Sequence, residues 1–131
     1  MAFGVATVLT NSGKRTAADR QQTTPTRNPL KFIGIGTGAT GAARTAVAAD
    51  TALSTEVETR ATGTETTQTI TQTGDTFQVV GTITATATRA VDESGTFDAS
   101  TVGNMGVSAT FNVISLVSGD SLQLTVRTQV T

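Results

Sequence analysis

The sequence predicts an all-β fold, an antiparallel β-sandwich or jelly-roll-like domain with an extended N-terminal arm. Three observations predict it. Thirty of the 131 residues are threonine, which is β-branched, poor in helices and suited to the solvated face of a sheet. Three stretches alternate apolar and polar residues with the period of a half-buried strand. Turn residues separate those stretches. The chain divides into an arm over residues 1–30 and a β-sandwich domain over residues 31–131.

The arm is polar and basic. Phe3 to Leu9 reads as a short strand or packing plug, ended by a turn at Asn11-Ser12-Gly13. Lys14 to Pro29 holds both prolines and promises no regular structure beyond a helical turn around Thr16 to Arg20. Residues 1–31 carry Lys14, Arg15, Arg20, Arg27 and Lys31 against Asp19 alone, while residues 32–131 carry four arginines against nine acids. A basic arm on an acidic body suits docking onto an acidic partner or onto a second copy. The candidate interface residues are Phe3, Val5, Leu9, Lys14, Arg15, Arg20, Arg27 and Lys31. A nucleic-acid arm is disfavoured, because Phe3 is its one aromatic for stacking.

The domain opens on a short strand carrying Phe32, Ile33 and Ile35. Gly36 to Ala52 is small and permissive and reads as a long loop with at most one helical turn. Extended structure resumes at Glu56-Val57, and Glu58 to Thr73 reads as an edge strand or one exposed on both faces. Gly74-Asp75 signals a two-residue hairpin. Phe77, Val79, Ile83, Ala85 and Ala87 then share a face opposite Gln78, Thr82, Thr84, Thr86 and Thr88. Arg89 to Ser94 reads as a turn, Gly95 to Asp98 as a short strand and Thr101 to Asn104 as another turn. Val107, Ala109, Phe111 and Val113 alternate with Ser108, Thr110 and Asn112. After a turn at Ser118-Gly119-Asp120, Leu122, Leu124, Val126, Thr128 and Val130 alternate with Gln123, Thr125, Arg127 and Gln129.

No enzyme is expected. There is no histidine to serve as general base, and no cysteine for a disulfide or thiolate site. Gly36-Thr37-Gly38-Ala39-Thr40-Gly41 matches the dinucleotide fingerprint, but the repeated strand–helix units of that fold do not follow it. The glycines read instead as a turn after a strand, so no cofactor is expected. Glu56 and Glu58, two apart on a strand, would share a face as like charges rather than form a glycosidase pair. Asp92, Glu93 and Asp98 lack calcium-loop spacing and read as solvated turn acids. Ser94 and Ser115 have no histidine to activate them, and Arg60, Arg89 and Arg127 read as solvent-face or interface residues. No signal peptide or membrane span is expected.

Five blocks taken together resemble small β-rich virion proteins of tailed bacteriophages. They are Lys31-Phe-Ile-Gly-Ile-Gly-Thr-Gly, Asp50-Thr-Ala-Leu-Ser-Thr-Glu-Val, Asp75-Thr-Phe-Gln-Val-Val-Gly-Thr-Ile-Thr, Glu93-Ser-Gly-Thr-Phe-Asp and Ser118-Gly-Asp-Ser-Leu-Gln-Leu. The resemblance covers about residues 30–131 and implies a structural protein without catalysis. It implies a capsid decoration (cement) protein, or else a tail or fibre component. The expectation is a virion protein assembled in the host cytoplasm. As a small homo-oligomer, expected to be a trimer, it would clamp neighbouring copies of the major capsid protein, with no nucleic-acid or membrane partner. A carbohydrate-binding host-attachment module is the alternative of another class. It would need exposed aromatics, whereas the five phenylalanines fall mostly at inward positions.

Overall fold

The computed structural model describes residues 4–40 and 44–131. The fold is all-β, built from two antiparallel sheets as a sandwich. The strands are β1 (Gly4–Leu9), β2 (Phe32–Gly36), β3 (Glu56–Thr62), β4 (Thr64–Gln68), β5 (Thr76–Thr84), β6 (Arg89–Phe97), β7 (Met105–Leu116) and β8 (Ser121–Gln129). Among the described residues one helix, α1 (Asn11–Asp19), follows β1. The larger sheet runs β1-β7-β6-β2-β3 and the smaller β4-β5-β8.

The two sheets meet over Ile35, Ile83, Ala85, Val91, Phe111 and Leu116, with Leu122 and Leu124 packed at the margin. Strands β5 and β8 supply their share through the predicted alternation, in an unbroken register from Thr76↔Gln129 to Thr84↔Ser121. A second cluster of Leu53, Phe97 and Met105, flanked by Phe32, lies on the other face of the large sheet. Phe32 can join it because successive residues of β2 point to opposite faces.

Several local expectations are corrected. Asn11-Ser12-Gly13 does not turn the chain but starts α1, so Lys14 to Asp19 is helical. Thr10 is the N-cap: its hydroxyl accepts from the Gly13 N–H at 2.9 Å and donates to the Met105 carbonyl at 2.6 Å. The helix lies so close to β7 that a Cβ on Gly13 would run into the backbone of Gly106. The polar stretch after Glu58 is two strands, and Gly63, bonded to the Lys31 carbonyl at 2.7 Å, marks the crossing from one sheet to the other.

Gly74-Asp75 is not a two-residue hairpin, since Gln68 pairs with Thr76 across a longer loop. The Asp75 carboxylate builds that loop by accepting from the N–H groups of Ile70, Thr71 and Gln72 at 2.9–3.0 Å. Arg89 to Ser94 is no turn but part of β6, whose residues from Val91 to Phe97 are all buried. Alternation fails there because both faces of β6 are covered. Thr96 belongs to this buried set, and its hydroxyl accepts from the Val107 N–H at 3.0 Å. In β7 a bulge between the pairs Val91↔Ile114 and Glu93↔Thr110 changes the phase, so Val113, expected inside with Phe111, is exposed.

Candidate functional site

The N-terminal segment does not stand away from the body along its described length. Strand β1 pairs with β7 from Gly4↔Phe111 to Leu9↔Val107. Phe3 lies outside the described residues, Val5 lies on β1, and Leu9 is half-buried. Lys14, Arg15 and Arg20 are exposed on α1 and at its C-cap. Arg27 instead folds inward, donating to the Ser12 carbonyl at 2.9 Å and to the Thr16 hydroxyl at 3.1 Å. Lys31 lies over the Phe32 ring, 5.7 Å from its centroid.

Asp19 fixes the return of the chain after α1. Its carboxylate accepts from the Arg27 N–H at 2.8 Å and from the N–H and hydroxyl of Thr26 at 2.9 Å. The bond from the Arg27 backbone is the largest of the effects that hold the Asp19 carboxyl below its ordinary value. An open cleft of about 300 Å³ beside the helix is lined by Arg15, Ala18, Asp19, Gln22, Thr26 and Arg27. Three basic side chains are thus displayed on a helix fastened at both ends.

A second centre, unexpected from the sequence, lies where the fingerprint-like glycines meet β6. Glu93 is fully buried. Its carboxylate accepts from the N–H groups of Gly38 (3.3 Å), Ser54 (3.2 Å) and Thr55 (2.8 Å) and from Arg44 Nη2 (2.7 Å). Asp92 accepts from the Ala39 N–H at 2.9 Å. The backbone donors after β2 therefore point at the chain's own carboxylates, where the fingerprint reading would have put a pyrophosphate. Gly36 is required because a Cβ there would collide with the Glu93 carboxylate and, at 2.6 Å, with the Thr55 carbonyl.

Arg44 also reaches Asp50 at 3.2 Å, and Asp50 accepts from the Ser108 hydroxyl at 2.6 Å and the Val47 N–H at 3.1 Å. Burial by itself would lower the Arg44 guanidinium, but the bonds to Glu93 and Asp50 outweigh it and hold it above its ordinary value. Burial by itself would raise the Asp50 carboxyl, but Ser108, Val47 and Arg44 outweigh it and hold it below. This network ties the long loop between β2 and β3 to the outer face of the large sheet. Two of the acids expected as solvated turn residues, Asp92 and Glu93, are instead its anchors.

Two further expectations change. Glu56 and Glu58 do not stand together as bare like charges, because each is paired with its own arginine. Glu58 takes φ +64° in a bulged part of β3 and bonds Arg89 at 2.8 Å, whereas Glu56 holds Arg60 through two contacts of 2.7 and 2.9 Å. Arg60 is not a solvent-face residue. Its side chain is 5% exposed, stacks 3.4 Å over the Phe97 ring and donates to the carbonyls of Ala99 and Val102 at 2.9 and 2.8 Å. Asp98 secures the same loop by accepting from the backbone and side-chain amides of Asn104 at 2.7 and 2.8 Å.

Among the described residues no helix is long and apolar enough to cross a membrane. Comparison of the chain with family models, curated proteins and solved structures finds no match.

Proposed function

We propose that the chain is a structural protein of a bacteriophage virion, a capsid decoration protein that binds the outside of the head as a small symmetric oligomer. The observation that carries the reading is the fastened helix α1 presenting Lys14, Arg15 and Arg20, while Asp92, Glu93 and Asp98 of the acidic body are buried. Basic side chains held on a fixed scaffold suit an acidic rim between capsid subunits, and many such contacts add through multivalency. The resemblance of the five sequence blocks to phage virion proteins supplies the setting. Phe97 and Phe111 are buried and Phe32 and Phe77 half-buried, which disfavours a sugar-binding platform.

The test is reversal of the three charges, Lys14→Glu, Arg15→Glu and Arg20→Glu together, followed by binding to heads stripped of the chain. Occupancy is expected to fall about tenfold or more. Undiminished binding by the folded variant would remove the basic helix from the account. Charge reversal is a cleaner test than removal of residues 1–29, because Thr10 is buried against Met105 and Gly106.

A further inference from the structure

Each sheet of the sandwich has two edge strands, and three of the four carry a device that discourages further pairing. β1 has a register shift between Gly4 and Ala6. β3 has a bulge opposite Gly34 and a left-handed residue at Glu58. β4 is only five residues long and carries Glu65. Bulges, short length and charge are the usual means of protecting an edge.

β8 has neither a bulge nor a short length, and its one charge is Arg127. It is nine residues long, has no proline and no lysine, and pairs with β5 without a shift. Its other edge meets no strand among the described residues. Its inward side chains Leu122, Leu124 and Val126 are only half-buried, which leaves apolar surface beside the open edge.

We infer that β8 pairs antiparallel with β8 of a second copy about a two-fold axis at Thr125, joining two three-stranded sheets into one of six strands. This inference is independent of the virion reading, and its two-fold symmetry departs from the trimer expected from the sequence. The side chains favour this register. Leu122 stands opposite Thr128 and Leu124 opposite Val126, so the half-buried apolar row continues across the seam. On the outer face Thr125 meets its own copy and Ser121 meets Gln129. Arg127, the one charge on the strand, meets Gln123, whose amide oxygen can accept from it. No like charges are opposed. A two-fold contact of this kind is self-complementary and closes after two copies.

The absence of cysteine permits a direct test on the full chain. Across an antiparallel pair, opposed Cα atoms lie about 4.5–5.5 Å apart, within disulfide range. Thr125→Cys should therefore cross-link to its own copy on mild oxidation. Gln123→Cys should cross-link at least about tenfold more slowly, because its copies would lie about 13 Å apart along the strands. Sedimentation of the unmodified chain should show twice the monomer mass as concentration rises. Gln123→Arg should weaken the dimer by opposing Arg127, and adding Arg127→Glu should restore it. A chain monomeric at the highest concentration reached, or equal cross-linking at the two positions, overturns the inference.

Discussion

Arg44 Nη2 lies 2.7 Å from an oxygen of Glu93, whose side chain is wholly enclosed. The guanidinium is itself 26% exposed at the side chain, so the pair joins a solvent-facing loop to the interior. Removing one partner of such a pair leaves an uncompensated buried charge. Arg44→Ala is expected to cost about 3 kcal/mol, read from the midpoint of urea unfolding. Arg44→Ala and Glu93→Gln together should cost less than the two single changes summed, because they break one interaction. A loss below about 0.5 kcal/mol for Arg44→Ala would mean the backbone donors alone hold Glu93.

Gly36 is expected to tolerate no side chain. Gly36→Ala pushes a methyl group against Glu93 and the Thr55 carbonyl, and overpacking of this kind costs about 1–3 kcal/mol. Faster hydrogen exchange at the N–H groups of Gly38 and Thr55 should accompany the loss. Unchanged stability would show that the loop can shift away from β6 without penalty.

The Arg60 clamp yields a prediction about chemistry rather than charge alone. The guanidinium combines stacking on Phe97, two contacts to Glu56 and two carbonyl acceptors. A lysine cannot reproduce that planar arrangement. Arg60→Lys should therefore destabilise by about 1–2 kcal/mol and speed exchange in the loop between β6 and β7. Full retention of stability by lysine would reduce Arg60 to a point charge.

Acid should unfold the chain through its exposed loops as well as its core network. The Asp75 carboxyl is held well below its ordinary value, first by the Gln72 N–H and then by Ile70, Thr71 and Gln129. Glu58 is held below its ordinary value chiefly by Arg89. Asp19 and Asp50 are also depressed. A depressed carboxyl stabilises the fold above its ordinary value, 3.8 for these aspartates and 4.5 for Glu58, and loses that effect as pH falls through the folded value. Melting temperature should therefore be level from neutral pH to about 5 and drop below about 4. Asp75→Asn should be less stable at neutral pH and show a shallower acid decline. An identical decline in the variant would remove Asp75 from the titration.

The sheet strands and the buried network differed in how far they could be read from sequence. β5 and β8 were legible because each has one covered face, and Val79, Ile83, Leu122 and Leu124 advertise it. The strand through Phe32 and Ile35 and the loop after Gly36 were legible for similar local reasons. Of β6 only the end from Gly95 was legible; the stretch before it was not, because Asp92, Glu93 and Ser94 are polar residues satisfied by partners far along the chain, and no period marks them. Helix α1 was legible only as a turn around Thr16 to Arg20, because its hold on the sheet comes from Thr10, Gly13 and Thr16 rather than an apolar stripe. The Thr10 cap three residues before Gly13 was the available signal. The exposure of Lys14, Arg15 and Arg20 follows from their charge, whereas the inward turn of Arg27 depends on Ser12 and Thr16 being presented by the helix.

The proposed decoration role fixes where the protein sits and in what number. Quantitative mass spectrometry of the chain relative to the major capsid protein, on separately purified heads and tails of the proposed phage, is the direct test. A decoration protein is expected in many copies on heads, in fixed proportion to the capsid protein, and absent from tails. A few copies confined to tails would contradict decoration and favour a fibre part, and absence from both would contradict the virion reading itself.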